Sequence, residues 1–125
     1  MAEAIARRIL GESVSVESAG VSAANGAPAA PNAIAVMAEK GLDIKGHSAR
    51  RIDGVDLSAF DAIVAMNRAV AGSLRARGAN RAAIVELNVP DPYGDNIERY
   101  RVAAGSIERE IRKLFLEEKG ARIEG

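Results

Sequence analysis

Asp91, in the run Asn-Val-Pro-Asp-Pro-Tyr-Gly-Asp (88–95), is the residue best placed by its neighbours to move a proton. Pro92 follows it, Tyr93 comes next, and Gly94 permits tight backbone geometry. An Asp-Pro pair also simply starts a turn, so the pattern alone leaves both readings open. His47, the only histidine, sits between Gly46 and Ser48 in a polar stretch. It reads either as an acid–base group or as a hydrogen-bonding strut. Arg50 and Arg51 form a basic pair of the kind ordinarily just solvated.

The residue types that are missing restrict the chemistry further. With Cys 0 the chain has no disulfide, no thiolate metal site and no cysteine nucleophile. One histidine rules out a histidine-rich metal centre, and there is no GxGxxG or GxxxxGK phosphate loop. No metal or cofactor is expected.

The elements that must carry these residues alternate along the chain. Ile5 and Ile9, with Ala2, Ala6 and Leu10, predict an amphipathic helix over Ala2–Leu10, stopped at Gly11. Its start has no Ser, Thr, Asp or Asn to cap it. Ser-Val-Ser-Val-Glu-Ser (13–18) alternates and predicts a short strand. Pro31 opens a helix that runs to Gly41. Residues 42–60 read as loop with a short turn or two. The apolar run Ala62–Met66 predicts a strand covered on both faces, Asn67 the cap of a helix ending at Gly78, and 82–87 a further strand. Ile97, Tyr100, Ala104, Ile107, Ile111 and Leu114 predict a long last helix, closed by Gly120.

Strands alternating with helices predict an α/β fold, a parallel sheet flanked by helices in three layers, as one domain over 1–125. In such a sheet ligands bind at the carboxyl ends of the strands. That places Ser18–Ala24, Met66 with Asn67, and the Asp91 loop at the site. The first helix is left without a strand before it.

Composition excludes other roles. Hydrophobic residues make up 48% and charged residues 27%, ordinary for a globular domain. The 17 basic and 17 acidic residues cancel, so no global field favours nucleic acid or an anionic membrane. Aromatics at 3% are too few for a base-stacking platform. No apolar run is long enough to span a membrane and no signal peptide is visible, so the cytoplasm is the expected location.

Five segments, in order, resemble the low-molecular-weight protein-tyrosine phosphatase family, which includes bacterial protein-arginine phosphatases. They are Met-Ala-Glu-Ala-Ile-Ala-Arg-Arg-Ile-Leu (1–10), Val-Glu-Ser-Ala-Gly-Val (16–21), Gly-His-Ser-Ala-Arg-Arg-Ile (46–52), Phe-Asp-Ala-Ile-Val-Ala-Met-Asn (60–67) and Asp-Pro-Tyr-Gly (91–94). Each is weak alone; together, with similar spacing, they span almost the whole chain.

The resemblance implies hydrolysis of phosphotyrosine or phosphoarginine on a phosphorylated protein, through a phosphocysteine formed in a Cys-x-x-x-x-x-Arg-Ser loop. It implies Asp91 as general acid and then base, Tyr93 as a wall of the substrate cleft, and Ser18 and His47 as groups that fix the catalytic loop by hydrogen bonds. That loop and the central first strand would lie upstream of Met1, so the chain is expected to be truncated and inactive as written. Two inner strand edges would be left unpaired, a route to self-association. Where the family commonly has Asp, this chain has Asn67, and one aromatic rather than two follows Pro92. The alternative is a degenerate, non-catalytic relative acting as a binding module. Arsenate reductases of this fold need further downstream cysteines, and none is present.

Overall fold

A computed structural model describes residues 1–12, 14–20, 25–80 and 83–117. The expected helix stop at Gly120, Ser13 and Ala82 of the expected strands, and residues 21–24 of the expected site loop lie outside the described residues. The element order is α1 (Ala2–Leu10), α2 (Pro31–Glu39), β1 (Ile63–Ala65), α3 (Arg68–Ala76), β2 (Ile84–Glu86) and α4 (Ile97–Ile111). Short 3-10 turns at Ile52–Gly54 and Leu57–Ala59 interrupt the loop before β1, and a π-helical stretch, Arg112–Glu117, extends α4.

The chain divides into two compact units. One contains Met1–Ser18, Pro28–Ser48 and Asp91–Gly125. Here α4 packs on both α1 and α2. Most of the helical spacing read from the sequence is the buried face: Tyr100, Ala104, Ile107 and Ile111 are buried, Ile97 and Leu114 are half-buried, and Ile5, Val36 and Met37 are among the residues that join the core. Gly11 ends α1 at φ 77°. Gly41, at φ 77°, ends α2: its N–H bonds the Ala38 carbonyl and Leu42 N–H bonds the Met37 carbonyl. This is the paired closure that favours glycine because the left-handed region costs it nothing. The Arg8 guanidinium donates to the Lys40 and Gly41 carbonyls at the same helix end.

The second unit contains Ala19–Ala27 and Ala49–Pro90. β1 and β2 pair in parallel, with Ile63 opposite Ile84 and Ala65 opposite Glu86. Ala65, Ala71, Leu74, Ala79 and Ile52 form its core. Asn67 caps α3, its side-chain oxygen accepting from Val70 N–H at 2.9 Å. Gly20 and residues 25–27 are laced to 49–52: Gly20 and Arg51 form a parallel bridge, and the Asn25 side chain accepts from Arg51 N–H at 2.8 Å.

The fold is thus α/β, with parallel strands and flanking helices. The strand expected at 13–18 is corrected: residues 14–18 form no ladder among the described residues. Alternation makes a segment fit to be a strand, but a strand also needs a neighbouring backbone. Here the Val16 carbonyl is taken by a side chain, the Arg7 guanidinium. The run Ala62–Met66 is also less enclosed than expected, for only Ala65 is fully buried and Ile63 and Val64 are half-buried. No helix among the described residues is long and apolar enough to cross a membrane.

Candidate active site

Ser18, His47, Asp91 and Tyr93 belong to the first unit, while Met66 and Asn67, expected at the same site, belong to the second. The four of the first unit form two clusters.

The first cluster is the turn around Asp91. Its Oδ1 accepts from Tyr93 N–H at 3.0 Å, closing a side-chain turn. Asp95 N–H then bonds the Pro92 carbonyl at 2.8 Å, with Gly94 at φ 83° in the third position. A turn of that form needs φ above zero there, which glycine supplies without strain. Asn32, in the first turn of α2, donates from Nδ2 to the Asp95 carbonyl at 3.2 Å and ties the loop down. Asp91 is exposed and Tyr93 is 80% exposed, so one turn presents both a carboxylate and an aromatic side chain to solvent. That arrangement can deliver a proton to a group resting against the ring.

The second cluster gathers on Glu3, which the sequence reading passed over. Ser18 Oγ donates to Glu3 Oε1 at 3.0 Å. His47 Nδ1 lies 3.9 Å from Glu3 Oε2, and the Arg7 guanidinium lies 3.7 Å from the same oxygen. Glu3 sits in the first turn of α1, where the helix dipole favours a carboxylate, and Arg7 and Arg8 sit in the last. Its side chain is only 20% exposed. The structure therefore brings Ser18 and His47 together, on a carboxylate at the head of α1. Asp91 and Tyr93 are held by their own turn. An acidic residue in the first turn of a helix that lacks a cap was the available signal for Glu3.

A hollow of about 410 Å³ beside the 14–17 segment is lined by Arg7, Val14, Val16 and Glu17 among others; Asp91 and Tyr93 do not line it.

Residues 1–123 match the family model described as low molecular weight phosphotyrosine protein phosphatase. A relative from Ralstonia solanacearum, the probable low molecular weight protein-tyrosine-phosphatase EpsP, is 33% identical over 118 residues, 89% of this chain and 81% of that protein. A crystal structure of a low molecular weight protein tyrosine phosphatase from T. tengcongensis superposes with a TM-score of 0.80 at 32% identity, covering 90% of this chain and 86% of that one. The YwlE arginine phosphatase from Geobacillus stearothermophilus superposes with a TM-score of 0.85 at 25% identity, covering 98% and 86%.

Proposed function

Because the chain belongs to the low molecular weight phosphotyrosine protein phosphatase family, we propose that its site serves hydrolysis of a phosphorylated protein side chain, phosphotyrosine or phosphoarginine. Asp91 protonates the leaving oxygen or nitrogen as the bond to phosphorus breaks. It then takes a proton from water as that water attacks the phosphoenzyme. Tyr93 flanks the substrate. Ser18 and His47 steady the backbone that binds phosphate at the head of α1, where the helix N-terminus favours an anion. The observation that carries this reading is the fixed turn that presents Asp91 beside Tyr93 with its carboxylate exposed. Relatives named for tyrosine and for arginine phosphatase activity support the two substrate classes.

The covalent step needs a thiolate, and the 125 residues include no cysteine. The chain as written is accordingly proposed to be inactive. The test measures hydrolysis of an aryl phosphate by the purified 125-residue chain and by the same chain with a strand and Cys-x-x-x-x-x-Arg-Ser segment joined ahead of Met1. Activity in the second alone, reduced by Asp91→Ala, supports the reading. Hydrolysis by the 125-residue chain that Asp91→Asn abolishes would overturn it.

The absence of cysteine also favours a second reading, a binding module that recognises phosphorylated proteins without turnover. In-frame translation of the DNA upstream of the Met1 codon separates the two: a Cys-x-x-x-x-x-Arg-Ser-Pro sequence there supports catalysis, and a stop codon without it supports binding.

A further inference from the structure

Helix α1 holds the segment that follows it at two points, Val16 and Ser18. Glu3 and Arg7 are four apart on one helix face, a rise of about 6 Å. Arg7 donates to the Val16 carbonyl from Nε at 3.3 Å and from a terminal nitrogen at 2.8 Å. Glu3 accepts from Ser18 Oγ at 3.0 Å. The two helix residues also face each other across 3.7 Å, and His47 lies 3.9 Å from the same Glu3 carboxylate.

We infer that Glu3 and Arg7 act as a two-point bracket, positioning residues that hold Val16 and Ser18 against α1 and set the Glu3 carboxylate beside His47. The role of the bracket in phosphoryl chemistry rests on the phosphatase reading; the bracket itself does not. Each half uses a property that its nearest relative lacks. Arg7 places two donors of a planar fork on one carbonyl, which a lysine ammonium cannot reproduce. Glu3 offers one oxygen to the hydroxyl and turns the other towards the imidazole and the guanidinium. A glutamine keeps an acceptor for Ser18 and loses the charge. Because residues 14–18 lack a ladder among the described residues, these contacts do for the segment what strand pairing does elsewhere.

The experiment is NMR on the labelled 125-residue chain, comparing wild type with Arg7→Lys, Glu3→Gln and Glu3→Ala. Arg7→Lys should move the Val16 carbonyl carbon upfield while leaving the His47 ring signals in place. Glu3→Gln should move the His47 ring signals and keep the Ser18 Cβ shift. Glu3→Ala should move both. The signals of α4 should hold in every variant and report the fold. If Glu3→Ala fails to fold, the Arg7→Lys and Glu3→Gln pair still decides. Unchanged Val16, Ser18 and His47 signals would overturn the bracket, and so would signals that move only together with those of α4. No turnover is read, so a failure here is distinct from a failure of the proposed activity.

Discussion

Glu3 and Asp91 are both carboxylates of the first unit, and their neighbours set them different tasks. Asp91 spends one oxygen on the Tyr93 amide and is otherwise exposed. Asparagine preserves that turn bond and removes the proton chemistry. In a form of the protein that turns over, Asp91→Asn should therefore leave the denaturation midpoint unchanged and lower turnover by roughly 10²–10⁴-fold, with the largest loss on substrates with poor leaving groups. Steady-state rates across a series of aryl phosphates check this. Tyr93, at 80% exposure, contributes little to packing. Tyr93→Ala should shift stability by less than about 0.5 kcal/mol, as surface changes do, while raising KM. A urea titration beside the kinetics separates the two effects. The Asp91 turn was legible in the sequence because its bonds run between residues two and three apart. Glu3 was marked only by its place in the first turn of an uncapped helix; its partners Ser18 and His47 are 15 and 44 residues away, beyond the reach of any local pattern.

At the scale of elements, the helices were legible because each carries its own signals. Pro31 at a first turn, Gly41 and Gly78 at ends and the apolar spacing of α4 all act within a few residues. Asn67 is the clearest case: its side chain caps α3, so the departure from the family's usual Asp keeps a working cap. Asn67→Ala should cost about 1 kcal/mol, and Asn67→Asp should be neutral or stabilising because its charge also suits the helix N-terminus. Urea midpoints of the two variants are the check. The segment 14–18 was misread for the opposite reason, since being a strand depends on a partner elsewhere. Between α2 and α4, Arg101 binds Glu39 at 2.6 Å, and Lys40 binds Glu108 at 3.2 Å. The Arg101 guanidinium holds the Glu39 carboxyl below the usual carboxylate range, and Lys40 does the same for Glu108. A carboxyl depressed in the folded state contributes stability above the ordinary glutamate range and loses it as pH falls through the folded value. The urea midpoint should thus drop between about pH 5 and pH 3. Glu39→Gln with Glu108→Gln should flatten that drop, and added salt should weaken it in the wild type, because these pairs are partly solvated.

For the whole molecule, the open question is what the sheet does with its edges. Among the described residues the sheet has two strands. Leu87 N–H bonds the Ala65 carbonyl at 2.7 Å, so Ala65 and, by the period of two, Ile63 direct their backbone groups towards β2. Val64 then directs its N–H and carbonyl to the other side of β1. An edge with unpaired backbone groups is a template for another chain. We expect concentration-dependent self-association through this edge, seen as a rising mass in light scattering as the protein is concentrated. Proline at Val64 would remove the outward N–H and leave the β1–β2 hydrogen bonds intact. It also requires extended backbone at Ile63, which β1 already provides. Val64→Pro should therefore lower the apparent association constant while retaining the far-ultraviolet signal of the helices. A constant monomer mass for the wild type would remove the edge as an interface, and undiminished association of Val64→Pro would place the contact elsewhere on the surface.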